Sequence, residues 1–190
     1  VVWLRSTLQV LCPVQKCMSS LPIVFINLSK DAERRESMTA QFMQMGLTAS
    51  RLRAAWWTDL PEAEQKRFFC APKSHGRYFK PLSNGEKGCY ASHLRSWQQL
   101  LDSDAPAMAV FEDDVRLLPQ LPQALAAIEA LPADGSWDMI KLYGREPEKI
   151  ANQGPLVAGA LQLISYQRVP SFAAGYVISR AGARKMLETR

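Results

Sequence analysis

The sequence predicts an α/β fold, a sandwich in which helices flank a largely parallel sheet. Three observations predict it. "LPIVFINL" (21–28) is a continuous apolar run, as expected of a strand covered on both faces. "AMAVFEDDV" (107–115) repeats the pattern and breaks into acids. Around these runs lie stretches with helical spacing and helix-ending residues, so strand and helix alternate along the chain.

The first strand closes on Asn27. In "SKDAERRESMTAQFMQMG" (29–46), Ser29 or Asp31 can cap a helix, Met38, Phe42 and Met45 share a face, and Gly46 stops it. "TASRLRAA" (48–55) reads as a second strand, and "TDLPEAEQKRFF" (58–69) as a helix with Pro61 near its start. Residues 70–84, punctuated by Pro72, Gly76, Pro81 and Asn84, read as loop. "GEKGCYASHLRSWQQLLDS" (85–103) returns to helical spacing, with Leu94, Trp97 and Leu101 on one side and Cys89 as a small buried thiol. After the acidic strand come a helix at 121–131, strands in 137–144, 157–166 and 172–179, and a helix capped by Ser179. The chain stops inside that helix, which predicts further elements beyond it.

The chain has 190 residues, 47% hydrophobic and 22% charged, which suits one globular domain. Residues 21–190 read as that domain, and residues 1–20 as an N-terminal arm of uncertain status. In the first 17 residues Arg5 precedes apolar positions, as in a signal peptide, but polar residues interrupt the run and no small-residue cleavage site follows. No stretch approaches the roughly 20 apolar residues that span a bilayer. Cys12, Cys17, Cys70 and Cys89 form no CxxC pair and have no His at zinc-finger spacing, so a reducing, cytoplasmic setting is expected. A net charge of +5 suits an anionic partner such as a nucleotide, a phosphorylated glycan or an acidic membrane surface. No run of Lys and Arg interleaved with aromatics points to nucleic acid.

Chemistry concentrates at "FEDD". Ligands of open α/β sheets bind beyond the carboxyl ends of the strands, where these acids are delivered. A hard divalent cation, Mn²⁺ or Mg²⁺, prefers such oxygens and accepts phosphate among its other ligands. Glu112 and Asp114, two apart, would point to one side of an extended strand and share the metal, with Asp113 between them. Alone, the triplet is as compatible with a solvated acidic loop. Arg34 and Arg35 fall in the early turns of a helix after a sheet edge, where phosphate can be received, or they form a surface face paired with Glu33 or Glu36. Gly85 and Gly88 bracket the start of a helix bearing Ser92 and His93, allowing a ligand close approach to the backbone. Trp56 and Trp57 can stack on a sugar, or divide into one core and one surface residue.

Five stretches, "VFINLSKDAERRESM", "LSNGEKGCYASHLRSWQQL", "AVFEDDVRL", "WDMIKLYG" and "AAGYVISRAGARKML", resemble glycosyltransferase family 25 in order and span. That family comprises lipooligosaccharide-biosynthesis galactosyltransferases and their collagen-modifying relatives. The resemblance implies a GT-A-type, Rossmann-like nucleotide-diphospho-sugar transferase fold. It implies Mn²⁺ or Mg²⁺ on Glu112 and Asp114, and UDP-galactose as the usual donor, transferred with inversion. Donor contacts then fall to Asn27, Arg34, Arg35, Gly88, Ser92, His93 and Asp113. Gly175 and Tyr176 would wall the acceptor pocket. For the base that takes the acceptor proton, Asp138 and Glu86 are candidates. The expected acceptor is a lipid-linked lipooligosaccharide, reached from the cytoplasm with peripheral contact at the inner membrane. An inactive glycan- or nucleotide-binding module of the same fold stays open. So does a metal-dependent phosphohydrolase, although no Thr or Ser follows the paired acids shortly, where Val115, Arg116 and Leu117 stand.

Overall fold

The computed structural model describes residues 2–3, 20–77, 80–132, 135–144 and 149–188. Apart from Val2–Trp3 and Ser20, the N-terminal arm lies outside the described residues. The elements run β1 (Val2–Trp3), β2 (Ile23–Asn27), α1 (Ala32–Gln44), β3 (Ser50–Arg53), α2 (Glu62–Phe68), α3 (Ala71–Arg77) and α4 (Asn84–Leu101). They continue with β4 (Ala107–Glu112), α5 (Leu121–Glu129), β5 (Met139–Lys141), β6 (Ile150–Val157), β7 (Leu161–Tyr166), β8 (Gly175–Ser179) and α6 (Arg180–Glu188).

The main sheet has the order β3-β2-β4-β8-β5. β2 is parallel to β3 and β4, whereas β8 is antiparallel to both β4 and β5. Four strands therefore share one direction and only β8 opposes them. Strand alternation assigns each face a different core. Ile23, Phe25, Ala109, Phe111 and Val177 pack against α1 and α5 through Met38, Phe42, Leu125 and Ile128. Val24, Ile26, Val110, Tyr176 and Ile178 pack against α4 through Ala91, Leu94, Trp97 and Leu100. The result is the expected helix–sheet–helix sandwich.

Two expectations are corrected. Residues 71–77, read as loop, form α3: Pro72 falls in its first turn, where a missing N–H costs nothing, and the Ser74 amide donates to Cys70 O at 3.0 Å. The run 157–166 is not one strand. It turns at Gly159 (φ +73°) into β7, and β6 before it contains Asn152, Gln153 and Pro155, a composition that masks a strand. These strands form a separate antiparallel sheet, β1-β7-β6. Elsewhere the signals hold: Gly46 ends α1 at φ +67°, and Ser179 Oγ accepts from the Gly182 amide at 3.0 Å to cap α6.

Candidate functional site

The carboxyl ends of β2, β3 and β4 open onto a cleft of about 370 Å³, closed on one side by α4. β4 stops at Glu112, and Asp113 and Asp114 turn away from it. The two-residue alternation expected for Glu112 and Asp114 therefore fails, because it holds only in extended chain. Instead each acid meets different surroundings. Glu112 follows Met108 and Val110 onto the α4 face. Asp113 faces α1, and Asp114 is exposed.

Asp113 is held from two sides. Asn27 Nδ2 donates to its Oδ2 at 2.6 Å, and Arg34 Nη1 donates to Oδ1 at 3.3 Å. Asn27 is 1% exposed and ties three segments together. Its Nδ2 also donates to Asp31 O at 3.0 Å, and its own carbonyl accepts from the Ala54 amide at 3.0 Å. Its Oδ1 has no partner among the described residues. Asp114 makes no hydrogen bond or ion pair among the described residues, which leaves both its oxygens for a ligand.

Glu112 meets α4. His93 Nε2 lies 3.2 Å from its Oε1, and the Cys89 thiol donates to the same oxygen at 3.7 Å. The His93 contact, opposed by burial, holds the Glu112 carboxyl below its usual range. Although the residue as a whole is exposed, its sulfur faces Glu112, and desolvation there first, then the Glu112 charge, pushes the Cys89 thiol up to about 12. His93 Nδ1 sits 2.8 Å from Tyr176 Oη, which accepts from Trp97 Nε1 at 2.8 Å. Tyr176 is fully buried, and burial raises its phenol. Trp97 donates to Tyr176, and if the phenol in turn donates to Nδ1, the other ring nitrogen, Nε2, carries its proton toward Glu112.

Of the residues singled out in the sequence, the cleft gathers Arg34, Gly88, Ser92, His93, Glu112, Asp113 and Asp114, with Asn27 beneath Asp113. Ser92 and Gly88 also dock α4. Ser92 Oγ accepts from the Ala55 amide at 2.8 Å and donates to Gly88 O at 2.7 Å. Trp57 is buried and Trp56 is 46% exposed at the cleft, with Lys30 Nζ 4.3 Å from its ring centre. Cys89, expected buried, is exposed on the cleft wall. Arg35 does not line the cleft; α1 carries it round to a half-buried position past Arg34.

Four expectations fall elsewhere. Asp138 precedes β5 and lies level with Ser179, whose partner on β4 is Ala107. It therefore sits at the opposite sheet edge, about 17 Å down β4 from Glu112 at 3.3 Å per residue. There it accepts from Lys185 Nζ at 2.9 Å. Glu86 closes a capping box on α4, taking the Ser83 amide at 2.8 Å and Lys80 Nζ at 3.0 Å. Those bonds, the Ser83 amide first, lower its carboxyl to about 2, too weak a base for a sugar hydroxyl. Gly175 does not wall a pocket but makes room for the Phe111 ring, 3.1 Å from where a Cβ would stand. Tyr176 stands behind His93 rather than in the cleft.

Glu86 carries a pH prediction. Its folded carboxyl titrates below its ordinary value of 4.5. Its contribution to stability is thus full above that value and is lost as pH falls towards about 2. Acid unfolding of Glu86→Gln should show a shallower loss over that window than the parent, followed by circular dichroism.

Sequence reasoning missed Asp31, which lines the cleft. It also missed the pairing of Cys89 with His93: they are four apart and share one helix face, a visible signal whose partner on β4 was not.

A family model described as Glycosyltransferase family 25 (LPS biosynthesis protein) matches residues 20–190. A "Glycosyltransferase 25 family member" of Aedes aegypti is 28% identical over 88% of this chain and 28% of its own length. "Procollagen galactosyltransferase 1-A" of Xenopus laevis is 28% identical over 90% of this chain and 28% of its own length. "Procollagen galactosyltransferase 2" of Homo sapiens is 28% identical over 87% of this chain and 27% of its own length. The chain thus spans less than a third of the length of these relatives. With the family match covering nearly its whole length, the chain belongs to glycosyltransferase family 25.

Proposed function

We propose that this chain binds the nucleotide-sugar donor in a metal-dependent galactosyltransferase of the GT-A type, moving galactose from UDP-galactose with inversion. The supporting observation is the cleft at the carboxyl sheet edge, lined by Arg34, Trp56 and Asp114, the last without a hydrogen bond or ion pair among the described residues. Family membership and the printed names of the relatives support the sugar and the reaction class. For the acceptor we propose a lipid-linked lipooligosaccharide, in keeping with the family description and the net charge of +5. The same charge supports work in the cytoplasm against an anionic inner membrane surface. Among the described residues, no helix is long and apolar enough to cross a membrane.

The donor set at Asp114 fits a hard cation: exposed carboxylate oxygens without competing hydrogen bonds among the described residues. Mn²⁺ or Mg²⁺ held by Asp114, with Asp113 adjacent, would neutralise charge that grows on the departing diphosphate. The protein's own groups do the rest. Arg34 keeps a bidentate cation at the cleft rim, oriented by Asp113. Trp56 offers a flat apolar surface on which a base or sugar ring can stack. Asn27, locked under Asp113, presents the one buried acceptor in the site without a partner among the described residues. With Asp138 at the far edge and Glu86 committed to its cap, the carboxylates in the cleft are Asp31, Glu112, Asp113 and Asp114.

Calorimetric titration of UDP-galactose, UDP-glucose and UDP-N-acetylglucosamine, with and without Mn²⁺, tests this reading. UDP-galactose should bind with Mn²⁺, and Asp114→Asn should abolish that binding with its melting temperature unchanged, because the side chain is exposed and unpaired. Binding of no donor sinks the reading.

A further inference from the structure

We propose that Cys89, His93 and Glu112 form a zinc site on the cleft wall, separate from any hard ion held by Asp114. The ligand atoms of these three residues lie within 4.8 Å of one another. Two of the three separations match a tetrahedral ion, and the third, sulfur to nitrogen, lies within 4.8 Å and would close to about 3.6 Å around one. Bonds of about 2.0–2.1 Å to nitrogen and oxygen and about 2.3 Å to sulfur place N and O about 3.3 Å apart and S and O about 3.6 Å apart. The observed separations are 3.2 Å for His93 to Glu112 and 3.7 Å for Cys89 to Glu112. Without metal, the thiol and the imidazole both bond to one carboxylate oxygen; a divalent ion would sit between the three atoms, in place of the hydrogens that now join them.

The scaffold also suits the purpose. Cys89 and His93 are four apart on α4, so one helix face delivers both, and the end of β4 delivers the third ligand. The second nitrogen of His93 meets Tyr176 Oη at 2.8 Å, the outer contact that fixes the ring of a metal-bound histidine. With zinc on Nε2, Nδ1–H donates to Tyr176. Tyr176 then accepts from both His93 and Trp97, with the Ser96 hydroxyl beside it to receive its own proton. Every polar group in the buried layer stays satisfied. Ligand type decides the metal: thiolate with imidazole favours zinc or its surrogate cobalt, whereas Mg²⁺ and Mn²⁺ favour oxygen. Binding forms Zn–S, Zn–N and Zn–O bonds and releases the Cys89 thiol proton to solvent, while the His93 proton moves from Nε2 to Nδ1. Three protein ligands leave a fourth position facing the cleft, the arrangement of a zinc site that admits water or a substrate oxygen.

The test is titration of the metal-stripped full chain with Co²⁺, followed by absorption. The expected spectrum has intense tetrahedral d–d bands and a near-ultraviolet thiolate-to-cobalt band, both erased by Zn²⁺. Cys89→Ser should lose the thiolate band, and its exposure makes a folding defect improbable. Tyr176→Phe should keep the band but weaken binding about 10–100-fold. Asp114→Asn should keep the tetrahedral and thiolate bands of the parent, which separates this site from the one that anchors the proposed donor chemistry. A thiolate band that persists in Cys89→Ser, these bands lost in Asp114→Asn, or no tetrahedral cobalt at all would overturn the proposal.

Discussion

At neutral pH, Asn27→Asp should unfold with a stability loss of about 3–5 kcal/mol, the cost of an uncompensated buried charge. Asn27 is 1% exposed and its amide donates to Asp113 at 2.6 Å. The substitution replaces that donor with an acceptor and sets two carboxylates in contact. Arg34 is the one cation on Asp113 among the described residues, and its side chain is 55% exposed, so it offsets little of the repulsion. The introduced carboxyl would have a folded pKa above its unfolded value. The penalty is therefore full above the folded pKa and fades as pH falls towards the unfolded one. Urea melts at pH 7 and pH 4.5 check the sign: the deficit should shrink in acid. Asn27→Ala should cost less, about 1–3 kcal/mol, because it only removes donors. Equal deficits at both pH values would show that Asp113 does not depend on this amide.

Gly88→Ala should destabilise the protein by about 2 kcal/mol, although alanine favours a helix interior over glycine by about 1 kcal/mol. A Cβ at this position would stand 2.6 Å from Ala55 O and 3.5 Å from the Trp57 amide. Both are backbone atoms and cannot rotate away, so α4 must lift or the 54–57 segment must move, and overpacking of that kind costs about 1–3 kcal/mol. Lifting also lengthens the Ala55-to-Ser92 hydrogen bond and carries His93 away from Glu112. A chemical melt measures the first effect, and histidine NMR shifts report the second. Stabilisation instead would mean that helix propensity outweighs the contact.

Much of the architecture was legible because it rests on local patterns. Continuous apolar runs marked β2 and β4, and Gly46, Pro61 and Ser179 bounded helices as their chemistry requires. The reversed β8 was not legible, since "GYVIS" reads the same in either direction and its partners lie far away in sequence. That reversal decides the site. It stations Tyr176 beside His93, where the family resemblance implied a pocket wall. The placement of Asp138 away from the cleft was hidden for a related reason: a strand-start acid lies at the amino edge of any strand running with β4. The acidic triplet was visible as a cation-seeking group, but its division into an α4-facing, an α1-facing and a solvent-facing carboxylate depends on β4 ending at Glu112. Charge and residue type were readable; the end of one strand was not.

The placement of β8 between β4 and β5 also governs when this edge can assemble. Its register joins Ala107 to Ser179 and Phe111 to Gly175, partners more than sixty residues apart. Such non-local pairing forms slowly, because a long loop must close before its contacts repay the lost freedom. β2 and β4 are themselves far apart in sequence, Ile23 facing Ala109, so their pairing also waits on a long closure; once residue 112 has emerged and they pair, β4 presents an open apolar edge until β8 arrives. His93 has no phenol behind it until residue 176 follows. The cleft's acidic floor thus precedes its backing, and a nascent chain paused between β4 and β8 exposes the apolar edge of β4.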